Sequence, residues 1–209
     1  MSTESTASRR RSAEERRDEL MDAAIAVMSE RGVAAATTRA IAEHAGLAQG
    51  VFHYCFRSKN ELFAALFERE ISRTLGSASL ALREHTDVRS GLRAALEASV
   101  APARTNPDYH LALAELSLTV QRTPALAPLA VWEQEQYRLQ ITDALTAWSA
   151  ERSIRWSAHL EDVASYLVAV SAGVTSTWLA DRDDARADAT IAVATMPLTA
   201  LSTESESSR

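Results

Sequence analysis

The side chains with the clearest chemical use lie between Thr37 and Lys59, in the segment TTRAIAEHAGLAQGVFHYCFRSK. Gln49 can form two hydrogen bonds with the edge of an adenine, and Val51 can contact a thymine methyl group. Gly50, between them, removes a side chain where a backbone must come close to DNA. These three positions are typical of a helix that reads base edges in the major groove.

Phosphate-binding groups follow directly after them. His53 and Tyr54 can donate hydrogen bonds to phosphate oxygens or base edges. Lys59, the only lysine of the chain, stands at the predicted start of a helix. A cation beside free backbone N–H groups makes a good phosphate site. The predicted DNA-binding residues are Thr37, Thr38, Arg39, Ala48, Gln49, Gly50, Val51, His53, Tyr54 and Lys59.

Two short helices joined by a tight turn must position these side chains. Thr37 or Thr38 can cap a helix that runs through His44. Gly46 follows where helices usually end in a left-handed residue, which glycine adopts at low cost. The next helix is predicted over residues 48–55. This outline is that of a helix-turn-helix.

Flanking helices are expected to complete a three-helix core. Ser12 and Glu15 have the spacing of a capping box before a helix that stops at Gly32, and Ser58 and Glu61 repeat that spacing. The residues expected in the core are Leu20, Ala24, Val27, Met28, Ile41, Ala42, Ala45, Leu47, Phe52, Phe56 and Leu62.

The rest of the chain has the pattern of longer helices. Only six glycines and five prolines occur in 209 residues, which leaves little scope for turn-rich β-structure, so we predict an all-α fold. Pro102 is expected to end one helix, and the tail STESESSR is expected to be frayed. The predicted helices cover residues 58 to about 75 or beyond, 88–101, 109–122, 125–150, 159–180 and 184–201.

Charge is distributed unevenly. The net charge is −6, yet residues 1–60 carry nine basic and eight acidic side chains, a net of +1, and the remainder carries −7. A neutral-to-basic head that includes an arginine-rich arm at residues 9–11 is consistent with one end that docks on phosphate.

Other classes of protein find little support. No run of about 18 apolar residues predicts a membrane span, and the N-terminus lacks the apolar core of a signal peptide, so a cytoplasmic protein is expected. The single cysteine, Cys55, excludes an intramolecular disulfide; it is either a small packing residue or, less in keeping with its position, a redox sensor. No metal-ligand spacing, catalytic triad or phosphate loop is present, so neither an enzyme nor a cofactor is expected.

The segment TTRAIAEHAGLAQGVFHYCFRSKNELF resembles the DNA-binding region of the TetR (tetracycline-repressor-like) transcriptional regulators. The resemblance covers residues 12–75, which we take as the DNA-binding domain, and leaves residues 76–209 as a second domain. Many members have Tyr at the position of His53, His at that of Cys55 and Ser at that of Ala48. These departures put the base preference in question and remove one capping bond.

The resemblance implies that the second domain is helical, binds a small-molecule effector and forms a homodimer. The aromatic and polar residues of its middle helices are the candidates for effector binding, and Glu115, if buried, would favour a cationic ligand. The candidate effector residues are Tyr109, His110, Glu115, Trp132, Tyr137 and Trp148. The predicted dimer interface contains Leu167, Val170, Gly173, Val174, Trp178, Ile191 and Leu198. The alternative is that these apolar stripes only cover the core of the monomer.

The sequence therefore predicts a one-component transcriptional regulator, in the first place a repressor that an effector releases from a palindromic DNA operator. One alternative is an activator, or a regulator controlled by a protein partner. The other is a helical ligand carrier or enzyme that retains the head as a scaffold.

Overall fold

The computed structural model describes residues 12–204, which form nine α-helices and two short β-strands. The chain divides into two compact units between Leu66 and Phe67. This division comes before the predicted boundary at residue 75. It falls inside helix α4, which is continuous from Lys59 to Arg83, so α4 contributes residues to both units. The basic arm of residues 9–11 lies outside the described residues.

The first unit contains three helices and the start of a fourth. They are α1 (Ala13–Arg31), α2 (Thr38–His44), α3 (Gln49–Cys55) and α4 (Lys59–Arg83), with one 3-10 turn at Val33–Ala35. The capping box of α1 is confirmed: Glu15 N–H donates to Ser12 Oγ at 3.0 Å, and Ser12 N–H donates to Glu15 Oε2 at 2.7 Å. Gly32, with φ of 80°, ends α1 as predicted.

The predicted core of this unit is confirmed for nine of its eleven residues. Ala45 and Leu47 are only partly buried, because they lie at the turn between α2 and α3. The buried residues are Leu20, Ala24, Val27, Met28, Ile41, Ala42, Phe52, Phe56 and Leu62.

The second predicted capping box forms only in half. Glu61 N–H donates to Ser58 Oγ at 3.2 Å, but the Glu61 carboxylate accepts from the backbone N–H of Arg57 at 2.9 Å. Glu61 also lies 3.4 Å from Nη1 of Arg17. The Glu61 carboxylate therefore forms an ion pair with Arg17, a residue too distant in sequence for the local spacing to indicate it.

The second unit consists of the rest of α4 and five further helices. They are α5 (Val88–Thr105), α6 (Pro107–Arg122), α7 (Ala127–Arg152), α8 (Leu160–Asp181) and α9 (Asp184–Ala200), with a 3-10 turn at Pro124–Leu126. The all-α fold is confirmed. Two short antiparallel strands, β1 (Ile154–Trp156) and β2 (Ser202–Glu204), add a minor element.

Two local expectations were wrong. Pro102 lies inside α5 rather than at its end, since a proline in the last turn interrupts few helical hydrogen bonds, and the helix continues to Thr105. The start of the predicted frayed tail is β2, which pairs with β1 from Ile154 opposite Glu204 to Trp156 opposite Ser202.

The core of the second unit also accounts for most of the predicted dimer interface. Within this unit α8 and α9 pack on α5 and on each other. The apolar stripes of α8 and α9 pack against the core of the monomer. This burial is the alternative to a dimer interface that the sequence allowed. Of the predicted interface, Val170 is partly buried and Gly173 is exposed. The five buried residues are Leu167, Val174, Trp178, Ile191 and Leu198.

Helix α8 is apolar enough to meet the length and composition criteria for a membrane span, with a mean hydropathy of 1.4. Among the described residues it is the one helix that does so. Its residues Val163, Leu167 and Trp178 are buried in the core of the second unit. In all, 33% of this apolar stretch is buried within the unit, which is the burial of a helix that packs one face on a core.

We expect Gly91→Ala to destabilise the protein. A Cβ atom at Gly91 would lie 2.8 Å from Cζ2 of Trp148, whose side chain is fully buried and cannot move aside freely. Overpacking of this kind costs about 1–3 kcal/mol. Urea unfolding of the purified variant measures the loss.

Gly76→Ala is the matched control for this prediction. Gly76 is also inside a helix, but a Cβ atom there would meet nothing within 4 Å. Because alanine is the better helix former, this variant should gain roughly 0.5–1 kcal/mol. Equal stability of the two variants would contradict the close contact between Gly91 and the Trp148 ring.

Candidate nucleic-acid interface and ligand cavity

Helix α3 has one exposed polar face and one buried aromatic face. Gln49, Gly50, His53 and Tyr54 are exposed, and Tyr54 retains 73% of its side-chain accessibility. Phe52 is fully buried on the opposite side. A short helix with this division can present polar groups to a groove while its other face fixes its position.

Arginine 17 of α1 holds the end of α3, and sequence reasoning missed it. Its Nη1 donates to the backbone carbonyl of Cys55, and its guanidinium carbon lies 4.2 Å from the ring centre of Phe56. Phe56 in turn lies 5.8 Å from the ring centre of Phe52. No spacing signal could identify Arg17, because its partners lie about forty residues further along the chain.

The turn before α3 is built as the sequence predicts. Thr37 caps α2 by accepting from Ala40 N–H at 3.1 Å. Gly46 has φ of 66°, and Leu47 N–H reaches back to the carbonyl of Ala42 at 2.9 Å. Ala48 precedes α3 without a side-chain cap, as its missing hydroxyl predicted. Because residue 46 is a glycine, it adopts its left-handed backbone conformation without strain.

The remaining residues predicted to bind DNA are exposed or partly exposed in the first unit. Arg39 is exposed on α2, Thr38 is partly exposed, and Val51 is half-buried on α3. Lys59 begins α4, and its Nζ lies 5.3 Å from the ring centre of Phe63. We refer to Arg39, Lys59 and the exposed face of α3 as the reading surface.

An acidic side chain near the reading surface, Glu61, is stabilised in its ionised form by neighbouring groups. The pKa of Glu61 is held below its ordinary value, first by the hydrogen bond from Arg57 N–H and also by the guanidinium of Arg17. Glu61 therefore stays ionised and its charge is balanced within the unit. Lys59 lies at the start of α4, next to the backbone N–H groups of its first turn.

The second unit contains a partly open cavity of about 830 Å³ among α4, α5, α6, α7 and α8. This volume is in the range of cavities that hold drug-sized ligands. Much of its wall is also the apolar core of the unit. The leucines shared by the wall and the core are Leu82, Leu92, Leu96, Leu145, Leu167 and Leu179.

Ionisable groups occupy part of this otherwise apolar wall. Glu133 retains only 7% of its accessibility and accepts a hydrogen bond from Ser117 Oγ at 3.1 Å. Burial raises the pKa of Glu133. Burial also raises the pKa of Tyr137, with a further contribution from the charge of Glu133. Burial lowers the pKa of His110 and favours its neutral form.

A second buried carboxylate lies in the same wall. Glu70 retains 8% of its accessibility and accepts hydrogen bonds from Tyr109 OH at 2.8 Å and from Thr74 Oγ1 at 3.4 Å. Burial, followed by the charge of Glu70, raises the pKa of Tyr109 to about 12. Glu70 therefore has two hydroxyl donors, whereas Glu133 has one.

Of the six candidate effector residues, the structure places His110 and Tyr137 in the cavity wall. Tyr109 stands behind the wall and holds Glu70. The other three do not line the cavity. Glu115 is exposed on α6, Trp132 is partly buried outside the lining, and Trp148 fills the core against Gly91.

The sequence missed Glu70, Ser117 and Glu133 as wall residues. Glu133 and Tyr137 are four residues apart on α7, a spacing that places them on one helix face and could have drawn attention to Glu133. Within residues 12–204, no group of three or more histidine, cysteine or acidic side chains could hold a metal ion.

Comparison with known proteins supports the reading of the first unit. Residues 20–66 match the family described as bacterial regulatory proteins, tetR family. The chain is 41% identical over 85 residues to the HTH-type transcriptional activator FasR of Mycolicibacterium smegmatis, which covers 41% of this chain and 39% of FasR. The match therefore spans less than half the length of that relative.

A second relative and a solved structure extend the likeness over most of the chain. The HTH-type nicotine-responsive transcriptional repressor HdnoR of Paenarthrobacter nicotinovorans is 27% identical over 172 residues, 82% of this chain and 88% of HdnoR. The crystal structure of a TetR transcription regulator from Haloarcula marismortui has a TM-score of 0.70 at 21% identity and covers 91% of this chain and 100% of that one. The latter shows likeness of fold.

Burial of Glu133 leads to a prediction about pH. A carboxyl whose pKa rises on folding weakens the fold progressively as the pH rises above its ordinary value of 4.5. Glu133→Gln removes that penalty, so the variant should be the more stable one at pH 7. Its advantage should shrink toward zero as the pH falls below 4.5. Urea unfolding at several pH values between 4 and 8 measures this difference.

Glu135→Gln serves as a control with the opposite sign. Arg138 holds the pKa of Glu135 below its ordinary value through a hydrogen bond, so the ionised form stabilises the fold above that value. Glu135→Gln should therefore lose stability at pH 7 and match the parent at low pH. If the stability of both variants relative to the parent changed with pH in the same direction, burial of Glu133 would not be the cause of the effect.

Proposed function

The chain belongs to the tetR family of bacterial regulatory proteins, and we propose that it is a homodimeric transcriptional repressor that a small molecule releases from a palindromic operator. The observation that carries this proposal is the exposed polar face of α3, held from behind by Phe52 and Arg17. DNA binding requires such a rigidly held helix. We place the protein in the cytoplasm, where bacterial DNA is accessible to it.

Base reading and phosphate binding fall to different residues of the reading surface. Gln49 stands in the first turn of α3, where recognition helices contact base edges, and its amide can bond adenine at two atoms. Lys59 and Arg39 supply positive charge for phosphates. His53 and Tyr54 are exposed donors between these two groups.

A homodimer would supply the two-fold symmetry that a palindrome needs. The buried stripes of α8 and α9 are committed to the monomer, so the interface must use the opposite faces of these helices. Tyr166 OH donates to the carbonyl of Ala194 at 3.1 Å and links the two helices. We define the outer face as the exposed small and apolar residues at helical spacing on α8 and α9: Tyr166, Ala169, Gly173, Ala189, Val193, Met196, Pro197 and Ala200.

Val193 and Met196 retain 62% and 51% of their accessibility on this outer face. Apolar side chains at such exposure, beside small residues that allow close helix approach, favour a helix-to-helix interface. Val170 and Gly173, from the originally predicted interface, remain compatible with it. In such a dimer the two copies of α3 would enter successive major grooves roughly 34–36 Å apart.

Release of DNA would follow from a change in population. A ligand in the cavity of the second unit favours whichever dimer conformation it binds better. If that conformation spaces the two reading surfaces wrongly, operator affinity falls, and operator DNA weakens ligand binding by the same factor. Helix α4 begins at Lys59 and also supplies Glu70 and Leu82 to the cavity wall, so it is the element through which we expect the coupling to pass.

Relatives of both regulatory signs are similar to this chain, since FasR is an activator and HdnoR a repressor. We favour the repressor because the likeness to HdnoR extends over 82% of the chain, including the cavity-bearing unit. The activator is the second candidate. Transcription from the bound promoter, measured with and without the protein, separates them.

We expect the protein to bind DNA flanking its own coding region far more tightly than random DNA, as measured by fluorescence anisotropy at two salt concentrations. Lys59→Ala should weaken binding to both kinds of DNA and lower the salt slope by about 1, because one phosphate contact is lost. Gln49→Ala should instead cost about 1–3 kcal/mol at particular base pairs. Equal loss on operator and random DNA would show that Gln49 is not a base reader.

The outer face yields a separate prediction. Val193→Glu introduces two charges into the proposed dimer, one from each copy, and should shift the protein to a monomer with weakened operator binding. Analytical ultracentrifugation measures the shift. Leu118→Glu is the control, because Leu118 is similarly exposed at 59% but lies on α6, away from the outer face. A Val193→Glu protein that stays dimeric would remove α9 from the interface.

A further inference from the structure

The charged side chains that line the cavity are all acidic. They are Glu70, Glu133 and Asp143, and the lining contains neither lysine nor arginine. His110 also lines the cavity, but burial lowers its pKa and favours the uncharged imidazole. An anionic ligand would therefore meet three carboxylates and no cation in the wall.

Glu133 is the carboxylate with the fewest compensating groups. It is nine-tenths buried, its one described hydrogen bond comes from Ser117 Oγ at 3.1 Å, and no described residue forms an ion pair with it. Burial of an ionised carboxylate without a cation is costly, and the fold retains it at a cavity wall rather than in the packed core.

Glu70 is better satisfied by the protein itself. Tyr109 and Thr74 both donate to it, and Arg69 forms a hydrogen bond with the same Tyr109 hydroxyl. Arg73 is the other nearby base, and its charge acts on His110. Neither arginine lines the cavity, and the hydrogen bond from Ser117 is the one interaction that lowers the pKa of Glu133 against the effect of its burial.

The neighbouring wall supplies an aromatic ring and a long apolar region. Tyr137 follows Glu133 by one helical turn on α7, so ring and carboxylate share a face of that helix. A cation beside a carboxylate can also lie over a tyrosine ring, an arrangement that adds favourable electrostatic energy. The leucines shared with the core supply apolar surface for the rest of a ligand.

We propose that the cavity binds an organic cation, a protonated amine on an apolar body, with its ammonium group at Glu133 and Tyr137 and its body among the leucines. This inference rests on the proposed function, since the ligand would be the effector. It assigns the role of counter-ion to Glu133, where the sequence had suggested Glu115. A carboxylate and an ammonium group at hydrogen-bond distance form a charge-assisted bond that a neutral ligand cannot match.

Three probes with the same ten-carbon chain test the proposal by isothermal titration calorimetry at pH 7: decylammonium, decanol and decanoate. Decylammonium should bind the unmodified protein at least about tenfold more tightly than decanol, and decanoate should bind most weakly. Glu133→Gln should remove the advantage of decylammonium while leaving the affinity for decanol within about twofold.

Glu135→Gln is the matched control, because it removes the same charge from the exposed side of the same helix. Both variants have the same net charge, so a nonspecific attraction of the cation to an acidic protein would fall equally in both. Loss of the decylammonium preference in Glu133→Gln alone supports the proposal. Equal losses in the two variants would overturn it.

Two other results would also overturn it: decanoate or decanol as the tightest probe, or no binding of any probe. Operator binding, measured on the same preparations, shows whether only the cationic ligand is wrong or whether the proposed regulatory function is wrong as well. A protein that binds its operator but prefers decanoate is a regulator with a different effector. A protein that binds neither operator DNA nor any probe is not the ligand-responsive repressor proposed above.

Discussion

The packing of the fully buried Trp148 ring on Gly91 of α5 constrains the core of the second unit. A Cβ atom at position 91 would come within 2.8 Å of that ring, so glycine is required where the indole rests on α5. Leu92 on α5 and Leu145 on α7 belong both to the core beside this contact and to the wall of the cavity. The wall of the cavity and the packed core are therefore formed in part by the same side chains.

An apolar wall of this kind makes the acidic residues within it significant. A carboxylate at Glu133 weakens the fold relative to a neutral side chain of the same shape, because its burial is only partly offset by Ser117. Residues that reduce stability at a cavity are the ones for which function is the better explanation. Glu70 shows the contrast, since Tyr109 and Thr74 satisfy it within the protein and a ligand is not needed to explain it.

Sequence reasoning succeeded where the physical signal is local. The cap at Ser12, the left-handed Gly46 and the missing cap at Ala48 each depend on neighbours within a few residues, and the structure has all three. It failed where the partner is distant. Arg17 contacts Cys55 of α3, 38 residues further along the chain. From the sequence alone Trp148 is a candidate for ligand binding, but the structure packs it against Gly91 on α5. Periodicity on α8 and α9 showed that one face is buried, but a period cannot tell whether the monomer or a second copy buries it.

The same limit explains why only two of the six candidate effector residues, His110 and Tyr137, lie in the cavity wall. Aromatic residues in the middle helices were predicted by type, and type alone does not separate Tyr137, which lines the cavity, from Trp132, which does not. What distinguishes the lining is a charge that the protein leaves uncompensated. An effector can shift an equilibrium only by its difference in affinity between two conformations. A buried carboxylate is suited to create such a difference, because its attraction for a cation changes steeply with distance and with access to water. Since α4 contributes to the cavity wall and begins at Lys59, a ligand in the cavity would contact the helix that also carries the proposed phosphate-binding residue.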